Sequence, residues 1–359
     1  MQVALIYGGR TPEHEVSIRS ARTLYQALLD AGYSVLLIGV TLEGTWFLQM
    51  EILSQIQKEK PLSLQPGRGI FLGQEQLKVD VAFTTIHGYQ GEDGNLQGTC
   101  LLCDVPLCGC DTLSSAIGMH KAVSSQLFAA AGIPVVPTWV LDSYQVKSLT
   151  PELFDSIRNK LGNDLFIKPE NAGSSVGVQA LPEAHYHDFQ KAVENAQRYS
   201  ERVLIQVLMR TIYELECAIL REDDGNLLIA GPGRVIDPAK ESEGYLSYTH
   251  KYGQIDAAYI LIPSGIDPDL EHRIRVYAKE AFLAIKADGY ARIDFFVQGN
   301  DVYLNEINTS PGMTAQSHYP VLMQSVGYDL SRVVSTLINH ALNRGKEESG
   351  RCYTPPKQE

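Results

Sequence analysis

No apolar run in this 359-residue chain approaches the roughly 18 residues of a membrane-spanning helix, and no charged start followed by an apolar stretch of about 7 to 15 residues opens it. Those absences set aside a membrane span and a secretory leader and lead us to expect a cytoplasmic protein. The common phosphate-binding fingerprints are missing too. The segment GGRTPE after the first apolar run is neither a dinucleotide fingerprint nor a GxxxxGK[ST] loop, and no such loop occurs elsewhere. Positive charge is in deficit. A formal net charge of -12 repels phosphate backbones and anionic headgroups, which excludes nonspecific binding to nucleic acid or membranes and leaves small substrates as the expected partners. A standard zinc pattern is also absent. Cys100, Cys103, Cys108 and Cys110 are crowded, but their spacing fits no known finger or ribbon, and TCLLCDVPLCGC intersperses them with apolar residues. We read them as reduced core thiols, with Cys217 and Cys352 adding nothing.

What is present is ample apolar content over a length that predicts two or three domains. Val3 to Tyr7 reads as a buried strand, Gly8-Gly9 as a tight turn, and Ser17 as the cap of a helix with Ile18, Ala21, Leu24, Tyr25 and Leu28 on one face. A second strand from Ser34 to Val40 completes a βαβ unit of a doubly wound α/β domain. Glu13, His14 and Glu15 lie in the loop, where a solvated acidic first turn is the plain reading. Residues 51–78 carry no chemical signal. Val79 to Thr85 is a strand that delivers His87 to the end of the sheet where ligands bind, although a lone histidine is more often structural. Gly118-Met119-His120-Lys121 opens a helix ending near Gly132, and the composition changes around Ser115 to Lys121, which suggests a boundary.

Farther on, Lys168 lies inside the apolar strand LFIKP, where a lysine calls for a charged partner or ligand. The following NAGSSVGV is a small-residue loop able to fold over phosphates as a nest or, more plainly, a flexible hairpin. Asp237 to Asp256, with Lys240, Tyr245, Tyr248, Lys251 and Tyr252, is a long polar loop of the length expected of a lid. Pro268 to Ala287 is an amphipathic helix. A last helix runs from Leu330 to about Asn343, and the charged tail from Gly345 is expected to fray.

The chemistry concentrates in ARIDFFVQGNDVYLNEINTSPGMT, from Ala291 onward. Two β-rich runs flank a Gly/Asn turn. Register decides what the hairpin can do, because side chains alternate faces with period two. A three-residue loop, Gln298 to Asn300, pairs Val297 with Asp301 and brings Arg292, Asp294, Glu306 and Asn308 to one face, together with Phe296, Val302 and Leu304. Ile293, Phe295, Val297, Tyr303 and Ile307 occupy the other. A polar strand face is ordinarily solvated. Here both faces carry large apolar residues, so the carboxylates are buried and need partners, and two carboxylates with an amide oxygen suit Mg²⁺.

Taken together, GGRTPEHEVS, IHGYQGEDGNLQG, MHK, IKPENAGSSVGV, HKY, ARIDFF and NEINTSPGMT resemble the D-alanine:D-alanine ligases of the ATP-grasp superfamily, in the family's order and across roughly residues 3–342. The resemblance implies a three-domain α/β ATP-grasp fold. Residues 1–118 would form an N-terminal Rossmann-like domain for the first substrate, 119–213 a central ATP-grasp subdomain, 214–345 a C-terminal subdomain with lid and metal site, and 346–359 a tail. It implies ATP as a substrate, two Mg²⁺ or Mn²⁺ ions on Asp294, Glu306 and Asn308, and a homodimer. Nucleotide contacts would come from Lys121, Lys168, Ser174, Ser175, Gln206, Val207, Met209, Glu214, Lys251, Asn305 and Glu306. Glu13 and His87 would receive the first D-alanine, Ser174 and Tyr252 would link the lid to it, Arg292 and the Gly312 N–H would form an oxyanion hole, and Ser317 and His318 would meet the second substrate. The implied activity is ATP-dependent formation of D-alanyl-D-alanine through an acyl phosphate, for peptidoglycan synthesis. The competing readings are a D-serine- or D-lactate-using ligase, since His318 is a departure from the family pattern, a biotin-carboxylase-like enzyme, and an inactive ATP-binding sensor.

Overall fold

The computed structural model describes residues 1–173, 176–237 and 258–350. β1 (Gln2–Gly8) lies between β2 (Ser34–Val40) and β7 (Val81–Thr84), parallel to both, and β3 (Trp46–Gln49) adds an antiparallel edge. All-apolar β1 is covered on both faces, as a parallel strand must be. The turn after it needs glycine. At Gly8 (φ +90) a Cβ would sit 2.4 Å from the Val40 carbonyl oxygen.

Helix α1 (His14–Asp30) buries Ile18, Ala21, Leu24 and Leu28 as expected, but Glu13, not Ser17, occupies its N-cap position. Ser17 sits inside the helix, its hydroxyl accepting from the Gly8 N–H at 2.9 Å and bonding to Thr85. A buried hydroxyl here serves the strand ends rather than the helix start. Residues 51–78, which carry no chemical signal in the sequence, are nonetheless structured. They include β4 (Leu62–Gln65), β5 (Gly69–Leu72) and β6 (Glu75–Gln76), a small antiparallel sheet whose short, mostly polar strands give little periodicity to read.

The segment before Lys121 is helical earlier than expected. Asp111 caps α2 (Thr112–Met119) by accepting from the Ser114 N–H, the chain breaks at His120, and α3 (Lys121–Ala130) begins there. Next comes an antiparallel sheet in the order β10-β9-β11-β8, formed by β8 (Thr138–Leu141), β9 (Leu165–Pro169), β10 (Gln179–Leu181) and β11 (Val203–Val207). Leu165, Ile167, Val203 and Ile205 pack on the helices spanning Pro151–Leu161 and Tyr186–Gln197, through Phe154, Ile157, Phe189 and Val193. That leaves Phe166, Lys168, Leu204 and Gln206 on the opposite face.

The largest sheet is five-stranded and antiparallel, in the order β14-β13-β12-β15-β16, from β12 (Tyr213–Arg221), β13 (Leu227–Ile236), β14 (Tyr259–Leu261), β15 (Tyr290–Gln298) and β16 (Asp301–Asn308). Its apolar face packs on the helix Pro268–Ala284 through Ile274, Ala278, Ala281 and Phe282. That helix starts where Asp267 accepts from the Asp269 and Leu270 N–H groups, with Pro268 at its first position. The C-terminal helix, Leu330–Ser349, runs beyond Asn343 and takes in the first residues, 345–349, of the stretch expected to fray. Val333, Val334, Leu337, Ile338 and Ala341 anchor it in the core shared with α1, each large side chain contributing about 1.5–3 kcal/mol.

A polar joint locks that helix to the rest. Asp288, just before β15, accepts from Arg221 (2.8 Å), His340 (2.7 Å) and Arg344 (3.1 Å), and Arg344 also donates to the Leu107 and Gly109 carbonyls. Burial alone would raise the Asp288 carboxyl, but His340 and Arg344 outweigh it and hold it well below the usual carboxylate range. A depressed folded value stabilises above the unfolded pKa of about 3.9 and stops doing so as pH falls. Asp288→Asn is therefore expected to cost about 2–3 kcal/mol at neutral pH. In urea melts the gap from wild type should narrow below about pH 4; a constant gap would refute the ionic account. Nearby, Gly289 (φ +68) meets Gly109, whose Cα would lie 2.8 Å from an added Cβ. The crowded cysteines are free and buried, as read, with burial pushing Cys100 and Cys110 up to about 12. Among the described residues no helix is long and apolar enough to cross a membrane.

Candidate active site

The hairpin brings the expected residues together by a different route. Its loop has two residues, not three: Gln298 pairs with Asp301 and Val297 with Val302. That register by itself would send Asp294 and Glu306 to opposite faces. A bulge between Leu304 and Glu306 restores them, so Asp294 pairs with Glu306 and Arg292 with Asn308. The extra residue is Asn305. The same shift moves Val302 and Leu304 into the buried core beside Ile293, Phe295 and Val297, and takes Tyr303 out of it, reversing the side expected for all three.

Arg292 grips Asp294 with two bonds, Nε to Oδ1 and Nη2 to Oδ2, both 2.8 Å, while the Asn308 amide donates to Asp294 Oδ2 at 3.0 Å. Glu306 faces Lys121 at 3.5 Å. Lys168, buried as foreseen, donates to the Asn305 amide oxygen at 3.3 Å. Two lysines from the central segment thus reach the bulge of the C-terminal sheet. Lys121 also donates to the Ala172 carbonyl at 2.9 Å, next to the small-residue loop. Cations of the central segment thus face carboxylate and amide oxygens of the C-terminal sheet.

Sequence reading missed Glu216. It lies on β12 directly opposite Asp294, buried, 3.1 Å from Arg292 Nε and 2.9 Å from His318 Nδ1. Period-two alternation at the start of YELECAIL was the available signal, since Leu215, Cys217 and Ile219 belong to one core while Glu214 and Glu216 lie on the opposite side of the strand. Glu216, Asp294 and Glu306 form a row across three strands. Burial, with Glu216 and Glu306 nearby, pushes the Asp294 carboxyl up to about 6 against the pull of Arg292. Burial would lower the Arg292 pKa, but Asp294 and Glu216 outweigh it and carry it well above its ordinary value.

A hard divalent cation fits this chemistry. The donors are carboxylate and amide oxygens, and the row carries more negative charge than Arg292 offsets. Among the described residues no three His, Cys, Asp or Glu side chains form a ready-made cluster, because Asp294 turns to Arg292 and Glu306 to Lys121. An ion that takes most of its ligands from phosphates and water needs no such cage.

Glu13 and His87 meet at the end of the N-terminal sheet. Both are buried, which sets aside the solvated-turn reading of Glu13, while Glu15 is exposed. His87 Nδ1 donates to the Ser310 carbonyl at 3.1 Å, and its buried Nε2 has no hydrogen-bond partner among the described residues. Burial lowers its pKa, but Glu92 and Glu13 outweigh it and the ring is more basic than usual. A Cβ on Gly173 would lie 3.2 Å, and one on Gly88 3.3 Å, from Glu13 Oε2, so Glu13 lies against the small-residue loop that follows β9. On the far side, the Ser317 hydroxyl accepts from the Thr314 N–H at 3.1 Å, and a Cβ on Gly312 would come within 2.9 Å of it.

Gln206 donates to Thr138 Oγ1 at 2.9 Å on the same face of its sheet as Lys168. The Val207 N–H is taken by the Pro137 carbonyl and that of Leu208 by the Asp164 carbonyl; Met209 is half-buried just beyond. Glu214 pairs with Phe296 and shares the site's side of β12 with Glu216. Ser174, Ser175, Lys240, Tyr245, Tyr248, Lys251, Tyr252 and Cys352 lie outside the described residues, as does the expected lid after Asp237.

Residues 2–110 match the family described as D-ala D-ala ligase N-terminus, and residues 127–339 the one described as D-ala D-ala ligase C-terminus. The chain is 35% identical to a D-alanine--D-alanine ligase of Bradyrhizobium sp. (strain ORS 278), over 96% of each protein. It is 33% identical to D-alanine--D-alanine ligase A of Pseudomonas putida, over 96% of this chain and 98% of that one. Among solved structures it is similar to the VanG D-Ala:D-Ser ligase from Enterococcus faecalis, with a TM-score of 0.82 and 30% identity over 95% of this chain and 99% of that one. The D-alanine-D-alanine ligase from Coxiella burnetii gives the same TM-score at 28% identity, over 97% of each.

Proposed function

Because the chain belongs to the D-alanine–D-alanine ligase family, whose fold is ATP-grasp, we propose that it joins two D-alanines into D-alanyl-D-alanine at the expense of ATP, for peptidoglycan precursor synthesis. The observation that carries the reading is the row of Asp294 and Glu306 on one hairpin face, met by Lys121 and Lys168 from the central segment. We assign residues 1–118 to the first substrate, 119–213 and 214–345 to the two halves of the nucleotide clamp, and 346–359 to a tail, in a cytoplasmic homodimer.

A carboxylate is a poor electrophile, so the first step makes it a better one. Glu13 would take the ammonium of the first D-alanine together with His87, whose Nε2, with the proton on Nδ1, is an acceptor. Lys121 and Lys168 would hold the nucleotide phosphates and Glu214 the ribose, while a carboxylate oxygen of D-alanine attacks the γ-phosphorus and ADP departs. Mg²⁺ or Mn²⁺ held by Asp294, Glu306 and Asn308 would spread the charge of the transferring phosphoryl group. The second amine then attacks the acyl carbon, the oxyanion is met by Arg292 and the Gly312 N–H, and phosphate leaves. Ser317 would receive the second carboxylate.

One observation favours a second reading, use of D-serine at the second position: the polar Glu216–His318 pair borders that subsite. Phosphate release from ATP with D-alanine, followed by product identification, tests both. D-alanine alone should release phosphate and yield the dipeptide. Release only on adding D-serine or D-lactate would replace it with the second reading, and release with biotin but not D-alanine would end both.

A further inference from the structure

His318 is the first residue of the helix His318–Ser325, directly after Ser317, the N-cap residue. Its Nδ1 lies 2.9 Å from Glu216 Oε2, the same oxygen that stands 3.1 Å from Arg292 Nε. A carboxylate only accepts, so the proton between them resides on Nδ1. That fixes the tautomer. In the neutral ring Nε2 is left with its lone pair, and among the described residues Nε2 makes no hydrogen bond. The His318 side chain is 14% exposed and that of Glu216 8%, so the carboxylate is shielded while part of the ring stays accessible. A buried carboxylate that orients a histidine and stabilises its protonated form is the arrangement that makes histidine an effective base.

We infer that His318, held by Glu216, is the general base that takes a proton from the ammonium of the second D-alanine. This rests on the ligase reading above, which needs such a group because an ammonium has no lone pair with which to attack. One proton passes from nitrogen to Nε2, the nitrogen lone pair forms the C–N bond at the acyl carbon, the C–O bond to phosphate breaks, and the second nitrogen proton leaves with the phosphate. The imidazolium returns its proton to solvent. Glu216 is the positioning residue, and through Oε2 it ties the base to the Arg292 of the oxyanion site.

The electrostatic surroundings of His318 are simple among the described residues. Charge comes from Glu216 on β12 and, beyond it, from Arg292 and Asp294 on β15. The rest of the helix brings no charge near it: Leu322 meets Gly231 and Gly233 of β13, Tyr319, Leu322 and Met323 share a core with Val333 and Val334 of the last helix, and the Tyr319 hydroxyl donates to the Ile219 carbonyl of β12 at 3.1 Å.

The test uses two nucleophiles. Hydroxylamine is neutral at the assay pH and captures the acyl phosphate without a base, whereas D-alanine needs one. The ratio of dipeptide to hydroxamate is measured against pH for wild type, His318→Leu and the near-isosteric His318→Gln. We expect both variants to lower the ratio about 10²-fold and to lose the acidic limb of kcat/KM for the second D-alanine. Glu216→Gln should lower the ratio as well, because an amide can present either its oxygen or its NH2 to Nδ1 and no longer fixes the tautomer. An unchanged ratio and pH profile in whichever histidine variant folds, with only KM for the second substrate altered, would overturn the inference while leaving the ligase reading standing. Wild-type protein that makes neither product would instead remove the ligase reading, and the inference with it.

Discussion

Glu306→Gln should lower kcat by about 10³-fold or more while the thermal midpoint stays close to that of wild type. The substitution keeps the side chain's shape and removes one negative charge from the row Glu216, Asp294, Glu306. Glu306 is one of the charges that pushes the Asp294 carboxyl up to about 6, so its loss relieves repulsion within the fold, and the lost contact to Lys121 is a long one at 3.5 Å. What suffers is cation binding, because an amide oxygen without formal charge is a weak ligand for a hard divalent ion. Steady-state turnover, a magnesium titration by calorimetry and a thermal melt separate the two effects. Near-normal turnover would remove the metal assignment.

Arg292→Met is expected to act on both levels, destabilising the protein by about 3–5 kcal/mol and abolishing dipeptide formation. Arg292 neutralises two buried carboxylates, Asp294 through both its oxygens and Glu216 at 3.1 Å. Without it, two like charges face one another across adjacent strands, Glu216 against Asp294, and the Asp294 carboxyl rises further. A raised folded pKa means the folded state holds the proton more tightly than the unfolded chain, so its stabilising contribution is present at low pH and lost as pH rises through the folded value. The loss in Arg292→Met should therefore be larger at pH 8 than at pH 5, on either side of the value of about 6 already reached with Arg292 present. Urea melts at the two pH values measure it. Equal midpoints to wild type at both would show that the guanidinium does not neutralise this row. Arg292→Lys should recover part of the stability but less of the activity, since an ammonium cannot reproduce the two-pronged grip.

The hairpin shows how far a sequence reading reaches. ARIDFF and NEIN declare two strands with acidic residues at alternate positions, and burial of both faces follows from the phenylalanines between them. Arg292, Asp294, Glu306 and Asn308 share one face as expected, but through a different loop from the one expected. A three-residue turn and a two-residue turn with a bulge both bring Asp294 and Glu306 together, and alternation cannot tell them apart, because each adds one residue to the count. The difference surfaced at Val302, Tyr303 and Leu304, whose sides are exchanged. It also gave Asn305 a structural origin: the bulged residue is the one Lys168 finds.

Glu216 and Glu13 mark a different limit. Glu13 follows a glycine turn, a place where acidic side chains are usually solvated, and only the approach of Gly88 and Gly173 makes it a buried group. Glu216 sits in a strand whose alternation was visible, but its partners, Arg292 and His318, are 76 and 102 positions away.

By itself the sequence determined the local vocabulary of this protein: the strand–glycine–helix opening, the lysine inside an apolar strand, the carboxylate-bearing hairpin, and a motif order sufficient to place the chain in its family. These are short-range properties, set by backbone sterics and by hydrophobic period. Tertiary structure alone decided which charges neutralise which. Lys168 crossing from one sheet to Asn305 of another, and Glu216 shared between Arg292 on the neighbouring strand and His318 on a later helix, depend on how strands, sheets and helices pack, and such pairing is fixed by distance in space rather than by distance along the chain.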